Sequence, residues 1–133
     1  MREWGLGGEF AYRGELERAQ KIAFLQSLDV MSVPATYEEP KGIFLLEAMA
    51  TGVPVVQPRR GAFPEILETT GGGLLVEADD PDALAEGLRA VWRDPARAAA
   101  LGAAGAAGVR NHYAVGQMAE TVEEIYAELI RRH

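Results

Sequence analysis

Two glutamates, Glu39 and Glu47, are the residues whose types and spacing most suggest chemistry in this chain of 133 residues. They stand eight residues apart, and Glu47 lies inside an apolar segment, residues 43–50. Burying a carboxylate without hydrogen-bond donors is costly, and no basic residue lies one helical turn away to pair with it. A carboxylate held there can accept hydrogen bonds from two vicinal hydroxyls, as on a ribose. We therefore predict that Glu47 has a binding function.

Each carboxylate also has a simpler interpretation. Glu47 could point out of a partly exposed helix, and Glu38 and Glu39 could be solvated loop charges, which their spacing alone favours. Two carboxylates that flank one bond could instead hydrolyse a glycoside, although the sequence does not show such an arrangement. Lys41 is more often a solvated lysine than a phosphate ligand. These alternatives stay open at the level of the residue pattern.

The segments around these glutamates predict a loop at 35–41, a buried helix that ends before Gly52, and a buried strand at 53–57. In a parallel sheet, ligands bind beyond the carboxyl ends of the strands, where loops lead into helix N-termini. Free N–H groups at the start of the buried helix suit a phosphate or another polar group. They belong to Gly42, Ile43 and Phe44.

Strands and helices alternate along the rest of the chain. The predicted strands are 10–13, 30–34, 53–57 and 74–77. The other predicted helices are 15–28, 64–68, 81–93, 95–109 and 115–131. This order predicts one α/β domain over residues 1–133, with a mainly parallel sheet of about four strands and C-terminal helices.

The composition excludes several classes of protein. The net charge is −7 and the basic residues are scattered, which disfavours nucleic-acid binding. The chain has no cysteine and only two histidines, so we expect no metal site. No apolar segment approaches the ~18 residues of a membrane span. The expectation is a cytoplasmic domain without an integral membrane segment.

Three motifs carry a resemblance to a known family: EPKGIFLLEAMA at 39–50, GVPVV at 52–56 and GAFPE at 61–65. Together they resemble the C-terminal domain of GT-B glycosyltransferases of the group 1 type. The resemblance implies a Rossmann-like three-layer domain that binds a nucleotide-sugar and passes its hexosyl group to an acceptor. Members with this motif are commonly retaining, and the fold usually needs no metal or other cofactor.

The resemblance also implies roles for single residues. Glu47 would hold the ribose hydroxyls, and Glu39 would lie beside the donor sugar as the catalytic residue. The amides of Gly42, Ile43 and Phe44 would contact sugar or phosphate, with Lys41 in the same donor site. Position 41 is often aromatic in the family, so the donor pocket is expected to differ locally.

The basic residues that clamp the diphosphate in this family precede the segment seen here, as do the first two strands and the acceptor domain. We therefore expect the C-terminal portion of a longer enzyme, inactive in isolation. Strand 30–34 would then have an open edge, which predicts either a shifted pairing of strand 10–13 or a homodimer. The alternatives are a non-catalytic module that binds nucleotide or protein on the same fold, and a sugar-nucleotide epimerase.

Overall fold

The computed structural model describes residue 5 and residues 7–132. This part of the chain contains six α-helices and two β-strands. In chain order they are α1 (Arg18–Gln26), α2 (Ile43–Ala50), β1 (Val55–Pro58), α3 (Phe63–Thr70), β2 (Gly73–Val76), α4 (Pro81–Trp92), α5 (Pro95–His112) and α6 (Val115–Arg131).

The two strands are parallel neighbours, with Val55 opposite Gly73. A third segment joins them through a single bridge: Met31 donates its N–H to Pro54 and accepts the N–H of Val56, both at 3.0 Å. The predicted fold class, an α/β domain with a parallel sheet, is confirmed. The predicted number of about four strands is too high for the described residues.

Two predicted strands differ from the structure for physical reasons. Residues 10–13 are exposed and form no strand, since no segment among the described residues offers them backbone partners. The predicted shifted pairing of this segment is therefore wrong. In the described chain, residues 30–34 pair with β1 only at Met31. The N–H of Val33 donates to the side-chain oxygen of Gln57 at 3.2 Å instead of to a strand, and Pro34 has no N–H to donate.

Helices cover both faces of the sheet. On one face, Val55 packs in a buried cluster with residues of α1, α2 and α3, including Leu25, Leu45 and Phe63. On the other face, a Cβ at Gly87 of α4 would lie 2.9 Å from Val56. Successive strand residues point to opposite faces, so β1 is covered on both sides, as its apolar sequence predicts.

The helix predictions after residue 60 are confirmed within a few residues. Asp80 and Asp94 act as N-caps, with their carboxylates accepting the N–H groups of Ala83 and Arg97 at 2.9 Å. The last helix, α6, contains no buried residue. No helix of residues 7–132 combines the length and hydrophobicity that crossing a membrane would require.

Candidate functional site

Glu39 is held by the backbone of its own loop. Its Oε1 accepts the N–H of Gly42 at 3.0 Å and the N–H of Lys41 at 3.1 Å. Its Oε2 accepts the hydroxyl of Tyr37 at 3.2 Å. The prediction that the Gly42 amide is free is therefore wrong, because its N–H already donates to the carboxylate of Glu39.

These contacts favour the ionised form of Glu39. The N–H groups of Gly42 and then of Lys41 hold the pKa of its carboxyl below the ordinary value, since both donate to the charged form. The pKa of Tyr37 is raised by its hydrogen bond to Glu39 and by the negative charge of that carboxylate. Glu39 is consequently a fixed anion in a polar, accessible loop.

The first turn of α2 presents the two remaining predicted amides. In the described part of the chain, no protein acceptor receives the N–H of Ile43 or of Phe44. Gly42, just before them, is buried in the left-handed region at φ 60°, and a Cβ there would lie 2.8 Å from Ile66. A glycine at this position therefore lets the chain enter the helix.

Glu47 is less buried than predicted. Its side chain is 38% exposed, and Lys21 of α1 donates to its Oε1 at 2.6 Å. No described protein group bonds to its other oxygen, Oε2. The apolar sequence of α2 suggests burial on every side, but only Leu45, Ala48 and Met49 are buried, and Ile43 is 56% exposed. One face of α2 is open because α1 covers it only in part.

Lys41 belongs to the same loop but points its charge to solvent. Its backbone N–H is bound to Glu39, and its side chain is exposed. No carboxylate in residues 7–132 lies within 4.0 Å of its ammonium. Its charge is therefore available to a ligand at the start of α2.

Two residues of the site lie outside the predicted set. Lys21 stands 26 residues before Glu47, so helical spacing could not pair them. Arg60 lies in the loop after β1, where its Nη1 donates to the carbonyl of Thr36 at 2.6 Å and its Nη2 pairs with Asp79. Neither contact has a signal in local sequence, because each joins separate loops or helices.

Nothing in residues 7–132 gathers three or more His, Cys, Asp or Glu side chains in a metal-binding arrangement. What the structure does present within residues 39–47 is a fixed anion, Glu39, two N–H groups without a described partner, and a half-exposed carboxylate, Glu47. Such a set can accept hydrogen bonds from hydroxyl groups and donate them to phosphate or sugar oxygens.

A family model described as "Glycosyl transferases group 1" matches residues 1–107. The GDP-mannose-dependent monoacylated alpha-(1-6)-phosphatidylinositol monomannoside mannosyltransferase of Corynebacterium glutamicum is 38% identical over 120 residues, 86% of this chain and 31% of that protein. The phosphatidyl-myo-inositol mannosyltransferase of Mycobacterium leprae is 39% identical over 108 residues, 81% of this chain and 29% of that protein. The chain thus spans about 30% of the length of these relatives.

Solved structures agree with this result. The sucrose-phosphate synthase of Thermosynechococcus elongatus matches 99% of this chain and 33% of its own, with a TM-score of 0.88 and 29% identity. The Anabaena protein HepE, solved with UDP and glucose, matches 96% of this chain and 34% of its own, with a TM-score of 0.84; at 23% identity it shows the fold alone. With the family model covering most of its residues, the chain is a member of the group 1 glycosyltransferases, enzymes of the GT-B fold.

Proposed function

We propose that this chain binds the nucleotide-sugar donor of a glycosyltransferase at residues 39–47, where Glu39, the start of α2 and Glu47 follow one another. The observation that carries the proposal is the first turn of α2: the N–H groups of Ile43 and Phe44 have no described protein partner and lie one turn before Glu47. The positive end of a helix favours phosphate. Glu47, on the same side of α2 as these residues, would receive the ribose hydroxyls.

In this proposal each residue has one task. The Oε2 atom of Glu47 accepts hydrogen bonds from the two ribose hydroxyls, while Lys21 donates to its Oε1 atom. The N–H groups of Ile43 and Phe44 stabilise the negative charge that develops on the diphosphate as the bond to the sugar breaks. Glu39 accepts a sugar hydroxyl and, as a fixed anion, stabilises positive charge on the sugar ring. Lys41 adds a positive charge to the same site.

The ionised state of Glu39 argues against one role in the hydrolysis alternative, that of the general acid. A glycoside hydrolase needs one carboxylic acid that stays protonated, and its pKa is therefore raised. The pKa of Glu39 is lowered instead by the amides of Gly42 and Lys41. An anion that accepts hydrogen bonds suits the proposed role beside a donor sugar.

The test is an NMR titration of the 133-residue protein with UDP, GDP and ADP, followed by the 2′-deoxy form of the nucleotide that binds. A ribonucleotide should shift the resonances of residues 39–47. A charged hydrogen bond contributes about 1.5–3 kcal/mol, so loss of the 2′-hydroxyl should weaken binding about 10- to 100-fold. Glu47→Gln should weaken the ribonucleotide by a similar factor.

Glu123→Gln is the matched control, since it removes one exposed carboxylate on α6, away from residues 39–47. It should bind as the unchanged protein does. Equal affinity for the ribo and 2′-deoxy forms, or shifts outside residues 39–47, would contradict the assignment. If no nucleotide binds, the donor role fails for this chain by itself.

The remaining expectations stay predictions. We propose that this domain is inactive in isolation and works with an acceptor domain of a longer protein. That enzyme would transfer a hexosyl group with retention of configuration, without a cofactor, in the cytoplasm. Its open sheet edge supports a second proposal, that two copies of the isolated chain pair along residues 30–34. Transfer to an acceptor by a longer protein would separate this function from epimerisation.

A further inference from the structure

The loop that carries Glu39, residues 35–42, rests on the next strand-end loop, residues 58–62. The N–H of Gly61 donates to the Glu38 carboxylate at 2.8 Å, and the N–H of Ala62 donates to the carbonyl of Glu39 at the same distance. A Cβ at Gly61 would lie 2.4 Å from that carbonyl oxygen. The second loop thus forms the support against which Glu39 is placed.

Arg60, in this second loop, contacts the loops on either side of it. Its Nη1 donates to the carbonyl of Thr36, at the root of the Glu39 loop, at 2.6 Å. Its Nη2 pairs with Asp79, which follows β2 and takes a left-handed conformation at φ 58°. The Arg60 side chain is only 16% exposed. The guanidinium of Arg60, which follows β1, therefore connects the segment after residues 30–34 with the segment after β2.

The root of the Glu39 loop is packed unevenly, since Ala35 is buried in the core whereas Thr36 is exposed. An open cavity of about 420 Å³ lies there, lined mainly by apolar side chains of Pro34, Ala35, Pro58, Val76 and Leu84. Thr36 borders this cavity, which offers it no atoms to pack against. The hydrogen bond from Arg60 to its carbonyl is the described side-chain contact that holds this residue.

We propose that Arg60, held by Asp79, is a positioning residue that sets the place of the Glu39 loop and, through it, the affinity of the site for the sugar end of the donor. The second half of this inference rests on the proposed function. A lysine could not replace the arginine, because two contacts in different directions need the planar fork of a guanidinium.

The experiment compares Arg60→Gln, Arg60→Lys and Asp79→Asn with Arg59→Gln as the matched control. Arg59 is the adjacent arginine, 57% exposed, and lies 3.5 Å from Glu68 of α3 rather than on the Glu39 loop. Thermal unfolding first establishes that each variant is folded. Amide hydrogen exchange of Gly61 and Ala62 then reports on the loop without any ligand.

Exchange at these two amides should rise at least tenfold in Arg60→Gln and Arg60→Lys, less in Asp79→Asn, and remain unchanged in Arg59→Gln. Unchanged exchange in the Arg60 variants would overturn the positioning role, whether or not a nucleotide binds. Because Asp79 is mostly exposed, its variant offers a test that does not disturb the interior.

Binding supplies the second readout, with GDP against GDP-mannose and UDP against UDP-glucose as probes. In Arg60→Gln the affinity for the sugar-nucleotide should fall about fivefold or more relative to that for the bare diphosphate, whose own affinity should change less than twofold. If the affinities for the sugar-nucleotide and for the bare diphosphate fall by the same factor, the proposed effect of Arg60 on binding of the sugar is overturned. If the unchanged protein binds none of the four probes, the donor role itself has failed, while the exchange result still decides the role of Arg60 in the loop.

Discussion

Glu39 and Glu47 carry the same charge but are held in different ways. Glu39 is bound by two backbone N–H groups of its own loop, from residues two and three positions further along the chain. Glu47 is bound by a side chain, Lys21, from another helix. The first carboxylate is therefore fixed locally, whereas the orientation of the second depends on how α1 packs against α2.

The contact between Tyr37 and Glu39 gives a prediction for pH titration. The pKa of Tyr37 should lie above its ordinary value and return towards it in Glu39→Gln, since the carboxylate that raises it is then gone. Carbon-13 NMR of labelled tyrosine measures it. Glu38→Gln is the control, because Glu38 bonds to Gly61 instead, and an equal fall there would contradict the assignment.

The sign of the effect for Glu39 is the opposite. Its pKa is lower in the folded protein, so its ionised contacts contribute stability that is complete above the ordinary pKa of a glutamate and is lost as the pH falls through the lowered one. We expect the amide resonances of Lys41 and Gly42 to shift together in that acidic window. In Glu39→Gln this transition should be absent.

At the scale of elements, α5 holds the helical layer together through glycines at three-residue spacing. Gly102, Gly105 and Gly108 are buried, and a Cβ at any of them would lie 3.0 Å or less from another backbone atom. Glycine costs about 1 kcal/mol in a helix relative to alanine. Glycine is needed at these positions because α5 lies too close to the ends of α2 and α3 to leave room for a Cβ.

Gly102→Ala should therefore destabilise the fold, although alanine is the better helix former. The new Cβ would lie 2.1 Å from the carbonyl oxygen of Gly52, and overpacking of this kind costs about 1–3 kcal/mol. Urea unfolding measures the change. Gly116→Ala is the control: it lies in α6 with no atom within 4 Å of its Cβ position, so the same substitution should not reduce stability.

At the scale of the whole molecule, two of the open surfaces in the described chain suit contact with another protein. One is the outer edge of residues 30–34, where Ser32 has no described backbone partner and its hydroxyl is buried without a hydrogen bond. The other is the apolar face of α6, where large side chains are 40–77% exposed; these are Val115, Met118, Val122, Ile125, Tyr126, Leu129 and Ile130. Both are available for contact with protein outside the described residues.

If the sheet edge pairs two copies, sedimentation of the isolated protein should show a dimer that dissociates on dilution. Ser32→Pro removes the outward N–H and should leave a monomer, whereas Ser32→Thr keeps that N–H and should still dimerise. A monomer at every concentration would contradict the proposed dimer. A dimer that persists in Ser32→Pro would be held by another surface, and α6 offers the larger apolar one.

The sequence by itself determined the class of the fold, the order of its helices and the identity of the two glutamates. Local signals carry this information: Asp80-Pro81 and Asp94-Pro95 begin helices, Gly52 follows the end of α2, and the apolar residues of β1 predict a strand covered on both faces. Each depends on residues within a few positions of one another. The segment at 10–13 shows the limit, because a strand exists only where a neighbour supplies backbone partners.

Only the tertiary structure decided how Glu47 is held and which segments the loop of Glu39 rests on. Lys21 reaches Glu47 across 26 positions, and Arg60 reaches Asp79 across 19. The exposure of Glu47 likewise depends on how far α1 covers α2. Such contacts join residues that are distant in the chain, so no local spacing predicts them. Local sequence therefore accounts for the partners of Glu39, and the packing of helices and loops determined the partners of Glu47 and Arg60.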